Sequence, residues 1–354
     1  MAVASDRDIL KNFQGEGKVL FARRFYCIYK NGSLLLALPR DRNLALMTFA
    51  LYQPQAWKAV CLAYCLRLLT KIGAHRWVVP CRELTFRDGG PLSELKPMDG
   101  AFGFILGNPE SNARRVIMIR RTDDGITVDK VGFSREARET VKTETTIIRS
   151  IPEGLAGVLQ LKNHHSNDNW SYYSAPMVEG RSPRKQDDHR VLSVLSQWMG
   201  YSETLPLLES SQWQRVMGFV QSHGMERFVE ALASKGDLQV KIGVYHGDLA
   251  PWNVKITSGG RVTIMDWEYG SLKGPAAWDW IHYLLQRASL VDQLPAADTL
   301  QVCRDWAHTA KGKVFMDEAG WGGNIELCLG SYLIYSNALG HFEHLGLLAE
   351  WTKE

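Results

Sequence analysis

The residue types able to do chemistry concentrate in one stretch, VYHGDLAPWNVKITSGGRVTIMDWEYG, at positions 244–270. It reads as two short hydrophobic strands, 254–256 and 261–267, joined by a turn at 257–260 that ends in a glycine pair. Asp248 and Asn253 stand five positions apart, and Asp266 lies thirteen beyond Asn253. If the strands pair as a hairpin, the residue before the first comes to lie beside the residue near the end of the second. Asn253 and Asp266 then face a common point. An amide oxygen and a carboxylate converging in this way suit a hard cation such as Mg²⁺, which takes one or two protein ligands together with substrate phosphates. Asp248, on the preceding loop, is left to take a proton. An Asp or an Asn near a turn usually serves as a turn former or a cap; it is the three together that point to catalysis.

His246-Gly247-Asp248-Leu249-Ala250-Pro251-Trp252-Asn253, followed by Asp266-Trp267-Glu268 and then by Pro275 and Trp278-Asp279 at a helix start, resembles the catalytic signature of the aminoglycoside phosphotransferase and choline kinase-like family, relatives of the protein kinases. The resemblance implies an α+β, bilobal protein kinase-like fold over roughly residues 96–354. A small antiparallel-sheet lobe would precede a mainly helical one. It implies Asp248 as the base that orients and deprotonates a substrate hydroxyl, with Asn253 and Asp266 holding Mg²⁺ against the β- and γ-phosphates of ATP. It also implies that Lys130 neutralises the α- and β-phosphates, with Glu144 as its ion-pair partner and Glu139, about one helical turn away, as the competitor. Tyr172 to Met177 would be the interlobe linker, with Tyr173, Ala175 and Met177 offering backbone groups to the adenine. His246 would brace the loop, and Asp279 would act as scaffold or helix cap.

Two departures qualify the likeness. No G-x-G-x-x-G precedes Lys130, and the corresponding stretch is Gly103-Phe104-Ile105-Leu106-Gly107-Asn108. Trp267-Glu268 stands where protein kinases carry Phe-Gly, which points away from a protein kinase proper.

The elements that must position these residues follow from local pattern. Three candidate strands, 101–106, 114–121 and 125–133, are separated by the turns GNPESN and TDDG and read as an antiparallel meander. A helix is expected over 135–148, then further strand material at 158–162 and 170–180. From about Asp187 the pattern is mainly helical, clearest at 191–199, 213–221, 225–234, 278–286 and 325–339. Ahead of these, FARRFYCIYKNGSLLLALPR reads as a hairpin turning at Asn31-Gly32. A helix over 55–72 follows, read as buried or docking. The Gly- and Pro-containing stretch 86–100 looks like a connection, so the expected division is an N-terminal extension 1–95, an N-lobe 96–175 and a C-lobe 176–354.

Composition narrows the classes of function. The chain has 354 residues, 45% hydrophobic and 22% charged, an ordinary globular balance that excludes disordered and fibrous classes. A net charge of +3 is too small an excess for general nucleic-acid binding. The six cysteines form no C-x-x-C pair and MAVASDRDIL lacks the apolar core of a secretory signal, so the expectation is a reduced, cytoplasmic protein. The apolar run 55–72 is interrupted by Lys58 and Arg67 and is too short to span a membrane. Tryptophans such as Trp278, Trp280, Trp306 and Trp321 suit core packing or, alternatively, stacking on a sugar. His164-His165 and His341/His344 have no accompanying ligands at metal-site spacing. The expected activity is ATP- and Mg²⁺-dependent phosphoryl transfer to a hydroxyl of a small molecule, with a sugar or saccharide intermediate favoured. The alternatives are a non-catalytic nucleotide-binding module that docks a partner, and a kinase peripherally associated with a membrane.

Overall fold

The computed structural model describes residues 6–52, 57–97, 101–107, 113–223, 238–340 and 345–353. The helix expected over 225–234, Asn108 of the glycine-poor stretch, and His341/His344 lie outside them. The chain divides into two compact units, Met1–Arg149 with Gln160–Val178, and Ser150–Leu159 with Glu179–Glu354.

The first unit is built on β1 (Val19–Lys30), β2 (Ser33–Leu38), β3 (Cys81–Arg87), β4 (Phe102–Leu106), β5 (Arg115–Thr122), β6 (Gly125–Gly132), β8 (Asn163–Ser166) and β9 (Ser171–Pro176). Among the described residues these eight form one sheet, in the order β3-β1-β2-β4-β5-β6-β9-β8. Every pairing in it is antiparallel. Positive φ at both Asn31 (52°) and Gly32 (81°) gives the first hairpin a turn whose twist matches its strands. Strands β4 to β6 pair each with the next, antiparallel, as the meander required.

The division expected at residue 95 does not separate an extension from a lobe. β2 pairs with β4 through Leu36↔Ile105 and Ala37↔Phe104, and one aromatic core joins Phe13, Phe25 and Phe86 from before the boundary to Phe102, Phe104 and Phe133 from after it. Backbone groups along the open edge of β4 and the apolar faces on both sides of residue 95 are satisfied by the same packing. The first unit also continues to Val178, past the expected limit of 175.

Its helices are α1 (Asp6–Gln14), α2 (Arg42–Ala50), α3 (Trp57–Ile72), the single turns α4 (His75–Val78) and α5 (Leu92–Leu95), and α6 (Arg135–Ser150). Side chains alternate across β4, so Phe102 and Phe104 enter the aromatic core while Ile105 joins a second cluster with Leu36, Leu38, Ala45 and Phe49. Gly103 faces α2 so closely that a Cβ there would lie 2.1 Å from Thr48 Oγ1. Gly103–Leu106 of the glycine-poor stretch is therefore a buried strand packed on a helix.

The second unit contains a sheet of β10 (Glu203–Pro206), β11 (Gln239–Tyr245) and β14 (Ser271–Pro275), and another of β12 (Val254–Ile256), β13 (Val262–Ile264) and β7 (Gly157–Val158). Of the strand material expected over 158–162, only Val158 falls in a strand. Helices α7 (Asp188–Met199), α8 (Ser211–His223), α9 (Trp278–Gln286), α10 (Ala296–His308), α11 (Ala310–Glu318), α12 (Ile325–Ala338) and α13 (Leu345–Trp351) make up most of the rest. An α+β architecture, antiparallel sheet followed by a helical region, is what the chain adopts.

Candidate active site

In the first unit, β6 and α6 bring an ammonium and a carboxylate together. Ser134 opens α6, its Oγ accepting from the Ala137 N–H at 3.1 Å. A buried stripe of Ala137, Val141, Glu144, Thr145 and Ile148 then faces inward at helical spacing. Gly132 at the end of β6 permits the approach, because a Cβ there would lie 2.4 Å from the Ala137 carbonyl oxygen. Lys130 Nζ and Glu144 Oε2 consequently sit 2.7 Å apart, both buried. Tyr173, opposite Lys130 in the sheet, donates its hydroxyl to Glu144 Oε1 at 2.9 Å and sets its ring 5.8 Å from the ammonium. Glu139 lies off the buried stripe and pairs with Lys142 at 3.0 Å.

The segment expected as the interlobe linker is mostly strand, in keeping with the strand material expected over 170–180. Residues 171–176 of β9 pair with β6, and Ser171–Ser174 pair on the other side with β8. Tyr173 thus acts through its side chain on the Lys130–Glu144 pair, while its backbone lies between two neighbouring strands. Ala175 stands beyond β8 and pairs with Val128. Met177 gives its N–H to the Ile126 carbonyl at 2.9 Å, so it is the carbonyl that it can still offer.

In the second unit, the loop 246–253 is held from several sides. Gly247 has φ +83°, and a Cβ on it would lie 2.4 Å from the Tyr269 carbonyl oxygen, so the turn requires glycine. Asp279, in the first turn of α9, accepts the N–H of His246 at 2.7 Å and of Gly247 at 3.0 Å. It ties the loop down; the N-cap position of α9 belongs to Ala277. Burial pushes the Asp279 carboxyl up to about 7, against the lowering effect of those two N–H groups. His246 is buried, with Nε2 2.9 Å from the Met265 carbonyl and Nδ1 3.2 Å from the Asp248 N–H. One nitrogen donates and the other accepts, which is the neutral ring; burial lowers its pKa accordingly. His246 braces the loop.

Asn253 Nδ2 donates to the Asp248 carbonyl at 2.9 Å and to Asp248 Oδ2 at 3.0 Å. The amide thus aims the carboxylate, and Asn253 Oδ1 is the oxygen left to face a cation. Pairing of β12 with β13 continues through Met265 N–H to the Asn253 carbonyl at 2.8 Å, which sets Asp266 next to Asn253. Asp266 takes the left-handed conformation, φ 68°, a conformation uncommon outside glycine and enriched at functional sites. The structure thus brings Asp248, Asn253 and the Asp266 backbone into one hairpin-centred cluster.

Two neighbours lacked a local signal. His282 Nε2 lies 3.0 Å from Asp248 Oδ1, off the line of a well-directed hydrogen bond, and its Nδ1 contacts the Tyr332 hydroxyl on α12. His282 follows Asp279 by three positions, so both project from one side of α9. That spacing was the available clue. Trp267 is fully buried against Trp198, and Trp278, Trp280 and Trp321 are equally buried, so these rings are core.

An asparagine oxygen and one carboxylate fit a Mg²⁺ ion that takes its remaining ligands from phosphates and water. Among the described residues no group of three or more His, Cys, Asp or Glu is placed to hold a metal by protein ligands alone.

No family model and no curated protein matches the chain. Solved structures similar to it include the choline kinase LicA from Streptococcus pneumoniae, at 13% identity over 74% of this chain and 95% of that one, TM-score 0.44. A Plasmodium vivax ethanolamine kinase is similar at 11% identity over 88% and 91%, TM-score 0.46. Aminoglycoside phosphotransferase APH(4)-Ia is similar at 12% identity over 74% and 95%, TM-score 0.46.

Proposed function

We propose that the chain is a phosphotransferase of the aminoglycoside phosphotransferase and choline kinase-like family, moving the γ-phosphoryl group of ATP to a hydroxyl of a small molecule. The observation that carries this reading is the Asn253 amide, whose Nδ2 donates to both the backbone carbonyl and the carboxylate of Asp248 while its backbone carbonyl accepts from Met265, the neighbour of Asp266. A turn former or a helix cap needs neither arrangement.

Asp248 orients the acceptor hydroxyl and takes its proton, with His282 Nε2 3.0 Å from the other carboxylate oxygen. Asn253 and Asp266 would hold Mg²⁺, which neutralises phosphate charge when bound. In the first unit, Glu144 and Tyr173 hold Lys130 in place as the cation for the α- and β-phosphates. Ala175 and the Met177 carbonyl are assigned to the adenine. Phosphoryl transfer asks the protein for positioning and charge neutralisation more than for covalent chemistry, and fixed side chains of this kind provide both.

For the acceptor, residues 292–326 intersperse Asp292, Asp298, Asp305, Asp317, Glu318 and Glu326 with Arg304, Lys311 and Lys313, and do not form the continuous acidic run that would single out a polycation. A sugar or saccharide hydroxyl is the class we favour. The test is ATP consumption by the full chain with Mg²⁺ over a panel of sugars, amino alcohols and aminoglycosides. Asp248→Asn is expected to lower turnover by about 10²–10⁴-fold while nucleotide still binds by calorimetry. Unchanged turnover would refute the role.

A further inference from the structure

Helix α3 turns the usual arrangement of a surface helix outward. Its inner side is narrow and made of small or partly buried residues: Ala63 and Leu66 pack on the cluster around Phe49 and Ile105, and Thr70 is buried. Diametrically opposite, Cys61, Tyr64, Leu68 and Ile72 follow one another at spacings of three and four and stand in solvent, Ile72 at 74% exposure. A helix apolar on every face is ordinarily buried, and one with this much uncovered surface marks an interaction site.

The charges around the stripe choose what covers it. Lys71 and Arg67 border it on one side and Lys58 on the other, all exposed. Between Asp41 and Glu83 the chain has no acidic residue at all, but six bases: Arg42, Lys58, Arg67, Lys71, Arg76 and Arg82. A second copy meeting this face through a two-fold axis would set bases against bases with no carboxylate between them. The occupant must therefore bring both apolar volume and negative charge. Tyr64 carries a ring of the kind that settles at a membrane interface, and the lysine and arginine stems can lie along the apolar stripe while their heads reach outward.

We infer that the outer face of α3 docks onto an anionic lipid surface, lying in the interface plane without crossing it. No helix among the described residues is long and apolar enough to cross a membrane. The inference is independent of the phosphotransfer reading, because it rests on a different surface and is read by binding alone.

The experiment is flotation of the full chain with vesicles of phosphatidylcholine alone and of phosphatidylcholine containing phosphatidylserine. The chain is expected to float with the anionic vesicles, to stay behind with the neutral ones, and to be released by salt. Lys58→Glu/Arg67→Glu/Lys71→Glu should weaken binding by at least about two orders of magnitude, at about five-fold for each base lost and with repulsion from the new carboxylates added. Tyr64→Ser/Leu68→Ser/Ile72→Ser should abolish it with an unchanged unfolding midpoint, since these side chains are already exposed. Failure to float with anionic vesicles overturns the inference, as does undiminished binding by the charge-reversed variant. A dimer in solution that Leu68→Ser splits, without vesicle binding, would make this face a contact between copies and overturn it equally.

Discussion

Asp248 is placed by two unlike partners, and this predicts how its proposed role as base would fail. Asn253 reaches one oxygen at 3.0 Å by a directed hydrogen bond, and His282 lies 3.0 Å from the other as a buried imidazole in contact with Tyr332. A donor or cation beside a carboxylate favours its ionised form. His282→Phe removes that support while keeping a ring of similar bulk in the helix. The expected result is a fall in kcat of about ten-fold or more, the share of an auxiliary positioning group, with the KM for nucleotide unchanged. The acidic limb of the pH–rate profile should move to higher pH. A profile that scales down without shifting would make His282 a packing residue only, and recovery by His282→Gln, which restores a donor, would separate the two.

Elements explain why side chains so far apart in sequence meet, and what it costs to part them. Lys130 and Glu144 are buried, so removing one partner leaves an uncompensated charge. Glu144→Ala should destabilise the fold by about 3–5 kcal/mol, read from denaturant unfolding. The double variant Lys130→Met/Glu144→Leu replaces the pair by apolar volume and should be nearly as stable as the parent, yet bind nucleotide much more weakly. Retained binding would remove Lys130 from the site. In the second unit the strained element is the turn at Gly247. An alanine there combines φ +83° with a 2.4 Å approach to the Tyr269 carbonyl, and about 1–3 kcal/mol of stability should be lost along with turnover. An unchanged midpoint would mean that the loop relaxes freely.

Across the whole chain, legibility tracked the range of the interaction. The cluster of Asp248, Asn253 and Asp266 was readable because a short hairpin joins its parts within nineteen residues, and the meander β4–β6 because its turns are local. The pairing of β2 with β4 was not, since the intervening stretch from 39 to 101 holds helices and the edge strand β3, and no local pattern announces which strand edge a distant hairpin will cover. Strand β11, read at most as part of a helical region, shows the same limit. So does Asp279, which resembles a helix cap locally but is assigned by N–H groups thirty-three and thirty-two residues away. Burial of the same carboxyl makes stability depend on pH. Asp279 has a folded pKa of about 7 against an ordinary 3.8, with burial as the first cause, so the native state keeps a proton that the unfolded chain releases. Its contribution is fully present below about 4 and is lost as pH rises through about 7. His246 works in the opposite sense. Burial lowers its pKa below 6.5, so its contribution is present above 6.5 and declines as the unfolded chain takes up protons on acidification. The parent's own curve mixes both slopes, and Asp279→Asn isolates one of them. Unfolding free energies of parent and variant, measured in urea across this range, should show the parent's advantage growing as pH falls from about 7 to about 4. A constant gap would mean that Asp279 titrates normally, and a gap that widens with rising pH would mean that the two N–H bonds outweigh burial.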